Sequence, residues 1–104
     1  LLAARSGTLI AYGLRGNAFR SADFGSSWVA VNTGVPMSIS AGIERDDGAL
    51  LLLAQNGDLL LSRDDGHTFE RGPAAPPFPA AALAAVERGL VMAGLRGVHR
   101  LDLA

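Results

Sequence analysis

Short apolar runs separated by glycine-containing turns recur along the whole chain. Residues 8–12, 49–54 and 90–93 form such runs. Four to six residues is the length of a β-strand and too short for an ordinary helix. The glycines beside each run favour hairpin turns. The pattern therefore predicts an all-β protein made of short antiparallel strands.

The apolar runs belong to a repeat with a period of about 41 residues. Gly7, Gly48 and Gly89 are spaced by 41 residues each, and Gly97 follows Gly57 after 40. A period of 40 to 45 residues is typical of a four-stranded propeller blade. We therefore predict a β-propeller segment of three units, at residues 1–34, 35–74 and 75–104. The same 41-residue spacing relates Gly16 and Gly57, Ser21 and Ser62, Asp23 and Asp64, Gly25 and Gly66, and Trp28 and Phe69.

Each unit is expected to contain four strands, counted from the inside outwards, except that the third unit lacks the outermost one. Residues 80–86 are rich in Ala and locally favour a helix. They are assigned to a strand because their counterpart at 38–43 alternates in the same register. The predicted strands are 1–4, 8–13, 17–21 and 28–31; 38–43, 49–54, 58–62 and 68–71; and 81–86, 90–94 and 98–102.

Three units are too few for a closed ring, because propellers have four to eight blades. A three-stranded unit also leaves an unpaired edge. We expect either that this chain is the C-terminal part of a longer propeller or that copies of it associate, two copies supplying six units. A wedge of this kind exposes two apolar faces, which predicts self-association of the isolated chain.

Two turns between predicted third and fourth strands share the form Ser-x-Asp-x-Gly-x-Ser/Thr-aromatic. The Asp carboxylate is expected to accept backbone N–H groups across the turn. The Gly supplies a positive φ, and the aromatic residue is expected to start the fourth strand and pack against the sheet. These residues therefore predict structure rather than chemistry. They are Ser21, Asp23, Gly25 and Trp28 in the first turn, and Ser62, Asp64, Gly66 and Phe69 in the second.

This motif resembles the Asp-box, or BNR, repeat of sialidase-type propellers. Its wider context, with Gly13 and Gly16 ahead of the third strand, is most similar to the photosystem II assembly factor family known as YCF48-like. The resemblance covers nearly the whole chain and departs in the third repeat, where Asp102 replaces the Ser. It implies a non-catalytic propeller scaffold that binds a protein partner and helps to assemble a membrane-associated complex.

The side of the propeller opposite the Asp boxes carries the candidate binding residues. Arg15 and Arg96 occupy equivalent turns two units apart, and Gln55 lies in the turn between them. Arginines at a shared surface can bind carboxylates with bidentate geometry, although a solvated turn arginine is the equal alternative. Phe78, between prolines in residues 72–79, is either an anchor for a partner or a plug between units. The assembly-factor resemblance implies an arginine-bearing surface for partner proteins.

A sialidase-type glycoside hydrolase or carbohydrate-binding propeller is the alternative function. That chemistry requires an arginine cluster, a Tyr–Glu pair and an acid/base Asp. The only tyrosine, Tyr12, lies in a predicted strand, and the glutamates Glu44, Glu70 and Glu87 do not converge on it. We therefore predict no catalytic residue in this chain, although such a site could lie in other units.

No metal or cofactor is predicted. The histidines His67 and His99 have no partner at zinc-ligand spacing. The Asp pairs at 46–47 and 64–65 lack the series of oxygen ligands that a calcium loop needs, so turn formation explains them better.

Composition narrows the classes of partner. The net charge of −1 argues against nucleic acid, and the longest apolar run is far too short to span a bilayer. There is no Cys, so disulfides and thiolate sites are excluded. The chain begins at Leu1, and any targeting segment is expected upstream; a periplasmic or exported location is favoured.

Overall fold

The fold is all-β, as the apolar pattern predicts. A computed structural model describes residues 1–72, 82–86, 89–94 and 97–102, with side chains described for residues 1–72. These residues form two four-stranded antiparallel sheets and a third sheet of three strands. The described part contains no α-helix and therefore no helix able to cross a membrane, and its one helical element is the short 3₁₀ turn Leu14–Gly16.

The first sheet consists of four strands in chain order. They are β1 (Leu2–Ala3), β2 (Leu9–Tyr12), β3 (Ala18–Ser21) and β4 (Val29–Val31). Register pairs Leu9 with Ser21 and Ala11 with Phe19. Because side chains alternate between faces along a strand, these residues share one face of the sheet. Ile10, Tyr12 and Arg20 share the opposite face.

The second sheet repeats this arrangement 41 residues later. Its strands are β5 (Ile39–Glu44), β6 (Leu50–Ala54), β7 (Leu59–Ser62) and β8 (Glu70–Arg71). Leu50 pairs with Ser62 and Leu52 with Leu60, the counterparts of the pairs in the first sheet. The fourth strands are shorter than predicted: Trp28, Thr68 and Phe69 precede them rather than belonging to them. Thr68 is bonded within the turn through its backbone N–H, which is therefore not free for strand pairing.

The third sheet consists of β9 (Ala82–Val86), β10 (Gly89–Gly94) and β11 (Gly97–Asp102), with β10 in the centre. The Ala-rich segment is thus a strand despite its helical propensity, because it pairs with β10 along its length. One expectation is wrong here. Gly97 pairs with Gly94 and so takes the place of Leu59, not of Gly57, because two residues separate the last pair of this hairpin, whereas five separate Leu53 from Leu59.

The apolar core lies between the first two sheets. Leu50, Leu52 and Leu60 project from the second sheet onto Leu2 and Ile10 of the first. At Gly42 an added Cβ would lie 3.0 Å from the Tyr12 ring and 3.4 Å from the Leu2 Cβ, so the strands approach closely there. Beyond the second sheet, β9 lies beside β5. The three sheets therefore lie side by side, and the first two each contribute one apolar face to the layer between them.

The opposite face of the first sheet has no such cover. Among the side chains that the structure describes, every large apolar one that is exposed belongs to this sheet or its turns. They are Leu1, Leu14, Phe19, Phe24, Trp28 and Val29.

Candidate functional site

The two Asp boxes are closed by the same set of hydrogen bonds. In the first, the Asp23 carboxylate accepts the Ser27 backbone N–H at 2.8 Å and the Ser27 hydroxyl at 2.6 Å. The Ser21 hydroxyl donates to Asp23 at 2.8 Å and accepts the Gly25 N–H at 2.8 Å. Ser21 is itself buried. The Ser21, Asp23 and Ser27 side chains thereby all find partners within the turn, as the motif predicts.

The second box repeats this bonding around Asp64. The carboxylate accepts the Thr68 N–H at 2.9 Å, and Ser62 donates to it at 2.8 Å. The same hydrogen bonds, first those from Ser27 and from Thr68, lower the pKa of Asp23 and of Asp64 to about 2. Both carboxylates stay ionised and committed to the turn, so neither is available as an acid or base.

The residue between Asp and Gly differs in the two boxes, and in the second box it forms a polar link between the sheets. Asp65 reaches from the second box to the first sheet, where its carboxylate accepts Thr8 at 2.6 Å and Ser6 at 2.8 Å. Arg20 adds a hydrogen bond and ion pair to the same carboxylate at 3.0 Å and also donates to the Asp65 backbone carbonyl. Burial raises the pKa of Asp65, but the bonds from Thr8, Ser6 and Arg20 lower it on balance.

A second polar link lies at the same end of the sheets. Glu44 accepts the Arg5 backbone N–H at 2.9 Å, and the Arg5 guanidinium lies 3.3 Å from the same oxygen. Sequence reasoning did not identify either link. Arg20 and Thr8 are polar residues in or beside apolar runs. A polar residue at such a position needs a polar partner when it is buried, and this was the only signal in the sequence.

Arg15 lies at the opposite end, in a tightly constrained turn. Its φ of 59° is left-handed, a conformation that bulky residues seldom adopt. The neighbouring Gly16 is buried, and a Cβ there would lie 1.9 Å from the Val35 carbonyl oxygen. The buried Thr33 hydroxyl donates to the Gly16 carbonyl at 2.7 Å. The turn is thereby fixed against the connection between the two sheets, and Arg15 is presented from a rigid base.

The Arg15 side chain is exposed at one end of a groove of about 450 Å³. Phe19, Asn32 and Pro36 are among the residues that line it. Within residues 1–72, Arg15 and Arg63 make no ion pair or side-chain hydrogen bond, whereas Arg5, Arg20, Arg45 and Arg71 each pair with a carboxylate. Of the two unpaired arginines, Arg15 is the one that lines the groove with Phe19. The groove therefore combines an uncompensated guanidinium with an exposed aromatic ring.

Gln55 lies close to the Arg15 turn. The Gln55 backbone N–H donates to the Ser38 carbonyl at 2.9 Å. The residue after Ser38, Ile39, donates its own backbone N–H to the Gly13 carbonyl at 2.9 Å. The two turns thus lie on either side of the start of β5, and the structure brings Arg15 and Gln55 to the same end of the sheets. Arg96 and Phe78, the other predicted binding residues, lie outside the described residues.

The turn that contains Gln55 satisfies its own polar groups. Asn56, the counterpart of Arg15, exchanges hydrogen bonds of 3.0 Å with Asp58, through its side-chain amide in both directions. Asp58 in turn lies 3.3 Å from the Arg71 guanidinium. Of the two equivalent turns, the one with Arg15 is the one that leaves a charge for an external partner.

The catalytic alternative finds no assembled site in the described residues. Tyr12 packs against the core between the sheets, and Glu44 is held by Arg5. Glu70 lies exposed on β8, and Glu87 lies outside the described residues. A cleft of about 480 Å³ at the Asp-box end is lined by Ser6, Glu44, Asp47, Arg63 and Asp65 among others. Two of its carboxylates are already committed to Arg5 and Arg20, and no group of three metal-binding side chains occurs in the described part.

Comparison with known proteins identifies no relative. No family model matches the chain, and no curated protein or solved structure matches it either. The Asp-box resemblance therefore depends on the residues themselves: the two boxes, their spacing and the hydrogen bonds that close them.

Proposed function

We propose that this chain is a segment of an Asp-box β-propeller that serves as a non-catalytic scaffold for a protein partner, of the kind found in the assembly-factor family that its motif resembles. Repeated four-stranded sheets stacked side by side support the propeller. In such scaffolds the turns at one end of the sheets form the binding surface, since they lie on rigid strands. We expect the partner to belong to a membrane-associated complex, as the resemblance implies.

The observation that supports this function best is the Arg15 turn. A left-handed φ costs about 1–2 kcal/mol for a residue with a Cβ, and nothing in the described residues compensates the Arg15 charge. Strain and unpaired charge together are typical of functional positions. The counterpart turn at Asn56 has neither a left-handed non-glycine residue nor an unpaired charge. The Arg15 turn therefore differs from its counterpart in the two features that are typical of functional positions.

The chemistry of the groove indicates the class of partner. A guanidinium presents two parallel donors that fit a carboxylate, and Phe19 offers an apolar surface beside it. We propose that the partner contributes an acidic segment with an apolar residue next to the acidic one. Arg15 would then supply most of the salt dependence of binding, and Phe19 the apolar contact.

The test is a titration of the ¹⁵N-labelled chain with a synthetic peptide of alternating Asp and Leu, followed by amide chemical shifts. We expect shifts at Arg15, Phe19 and Asn32 that weaken with added salt. An Asn-for-Asp peptide should bind roughly tenfold more weakly or not at all, because it lacks the charge-assisted bond. Arg15→Ala should remove the shifts, and Arg15→Lys should restore them only in part.

Arg63→Ala is the matched control, because Arg63 is an exposed arginine at the Asp-box end. If Arg63→Ala and Arg15→Ala weakened peptide binding equally, the effect would come from the net charge of the chain and not from the Arg15 groove, which would contradict the proposal. Sialyllactose and 4-methylumbelliferyl glycosides test the carbohydrate alternative. Hydrolysis of either, or shifts with sialyllactose in place of the acidic peptide, would replace the scaffold by that alternative.

A further inference from the structure

We propose that the uncovered face of the first sheet binds the third sheet of a second copy of this chain, so that two copies join head to tail. The inference rests on the repeat that also underlies the proposed propeller. It adds a specific interface, a partner and an orientation, none of which the Arg15 groove requires.

The face in question repeats, position by position, a face that is buried elsewhere in the molecule. Leu50, Leu52 and Leu60 of the second sheet are fully buried against the first sheet. Their counterparts on the first sheet, 41 residues earlier, are Leu9, Ala11 and Phe19. These are only half-buried or, for Phe19, exposed. The same face therefore occurs on both sheets, but only the one on the second sheet is covered by a neighbouring sheet.

Aromatic residues are concentrated on this face. Phe19, Trp28 and Phe24 lie on it or beside it, with exposed fractions of 42%, 41% and 86%. Trp28 was expected to pack against its sheet as Phe69 does. Phe69 contacts the core because a neighbouring sheet faces it, whereas Trp28 has no such neighbour among the described residues. Exposed aromatic clusters are typical of the centres of protein interfaces.

Phe24 points to a neighbouring sheet by a second, independent observation. Its φ of 57° matches the 61° of Asp65, the residue at the same place in the second box. Asp65 uses that conformation to reach the sheet next to it, where it contacts Thr8 and Arg20. The same backbone conformation directs the Cβ of Phe24 to the equivalent position, and the ring is left 86% exposed beside the uncovered face.

The chemistry of Phe24 decides which sheet fits. A phenyl ring cannot accept the hydrogen bonds that Asp65 receives, so the covering sheet needs an apolar residue where the first sheet has Thr8. In the second sheet the counterpart of Thr8 is Ala49, which is buried inside the molecule. In the third sheet it is Leu90, on the central strand β10. A second copy thus offers a suitable residue on its third sheet.

Head-to-tail contact of this kind closes after two copies if the six sheets complete one ring, a number that propellers allow. Light scattering at 100 µM is therefore expected to give a dimer, twice the chain mass of 10.7 kDa. Phe24→Asp should weaken the dimer roughly 30-fold, the effect of losing an aromatic hot spot. Val29→Asp is the matched control, because Val29 is an exposed apolar residue on the other face of the same sheet and should leave the dimer intact.

Introduced cysteines test the orientation, since the chain has none of its own. The Phe24→Cys and Leu90→Cys variants, mixed under mild oxidation, should form a disulfide-linked dimer, whereas Phe24→Cys alone should not. Dimers of Phe24→Cys alone would place two first sheets face to face and overturn the head-to-tail arrangement. Monomers at 100 µM, open-ended oligomers, or equal effects of Phe24→Asp and Val29→Asp would overturn it as well.

Failure of this inference is separable from failure of the proposed function. Arg15 lies at the turn end of the sheet and outside the proposed interface, whereas Phe19 lines the Arg15 groove and also lies on that interface. The peptide titration is therefore repeated on the Phe24→Asp chain, in which the interface is weakened and every residue of the groove is kept. The acidic-peptide titration can therefore succeed on a monomeric chain, and a dimer can form without any binding at Arg15.

Discussion

The two Asp boxes share every internal hydrogen bond yet stand in different environments. Asp23 and Asp64 close their turns with the same donors and have pKa values lowered to the same value, about 2. The residue that follows is 86% exposed in one box, as Phe24, and bound to three side chains of the next sheet in the other, as Asp65. The box is thus a self-contained turn, and its central residue is free to specialise.

The same comparison extends to the glycines of the boxes. Gly25 and Gly66 have φ values of 89° and 88°, so each turn needs a glycine for its own conformation. Only Gly66 is also needed for packing, because a Cβ there would lie 2.6 Å from the Ile10 Cδ1 atom of the first sheet. At Gly25 the nearest atom would be 3.5 Å away, in Trp28. The turn conformation therefore requires a glycine in both boxes, whereas packing between the sheets requires one only at Gly66.

Alanine substitution of these glycines separates the two requirements and has the largest expected effect. Gly25→Ala should cost about 1–2 kcal/mol, the penalty of a left-handed residue with a Cβ. Gly66→Ala should cost about 1–3 kcal/mol more, because it also overpacks the layer between the sheets. Urea unfolding followed by circular dichroism measures both. Equal losses would show that Gly66 is not packed against the first sheet.

A double-mutant cycle on Arg20 and Asp65 sharpens the comparison further. The two side chains are 15% and 41% exposed, so solvent screens the pair in part, and we expect a coupling of about 1 kcal/mol between Arg20→Met and Asp65→Asn. The pair Arg71–Asp58, with Arg71 66% exposed, serves as the control and should couple by no more than about 0.3 kcal/mol. If the coupling energy of Arg20–Asp65 were no larger than that of Arg71–Asp58, the Arg20–Asp65 pair would not contribute to holding the two sheets together.

Acid titration tests whether the boxes are as alike internally as they look, and it has the smallest expected effect. The folded pKa of Asp23 and of Asp64, about 2, lies below the ordinary value of 3.8. Stability from these groups is therefore fully present above about pH 4 and is lost as the pH falls through about 2. Melting temperatures between pH 2 and pH 7 should fall less steeply in Asp23→Asn and in Asp64→Asn, and by equal amounts. Unequal slopes would mean that the second box gains its bonding from the neighbouring sheet.

Much of the architecture follows from residues 41 apart in the sequence. Glycine and Asp-box spacing located the hairpins, because turn chemistry is local and depends on a few residue types. Strand ends were less predictable: Trp28 and Phe69 are apolar and suit a strand, yet each directly follows the last residue bonded within its box and lies one residue before the strand begins. The register of the third sheet was missed, because Gly97 matches Gly57 in residue type and spacing, and only its pairing with Gly94 shows that it takes the place of Leu59.

The candidate site was predictable to a smaller degree. Arg15 could be selected from its turn, but no sequence pattern reveals that the next residue, Gly16, packs against Val35 and Thr33 and so fixes that turn. The role of Asp65 was hidden for the same reason, because its partners Thr8 and Arg20 are distant in sequence. Turn and strand patterns describe residues close in sequence, so they do not predict contacts between sheets.

The propeller, the Arg15 site and the proposed interface all require that the first two sheets are equivalent units stacked face against face. Nuclear Overhauser effects from the Ile10 δ1 methyl group test it directly. We predict a strong cross-peak to the Gly66 α-protons and further cross-peaks to the Leu50 methyl groups. Absence of the Gly66 cross-peak, or cross-peaks from Ile10 to Gly25 in its place, would contradict the stacking and with it the equivalence of the two faces.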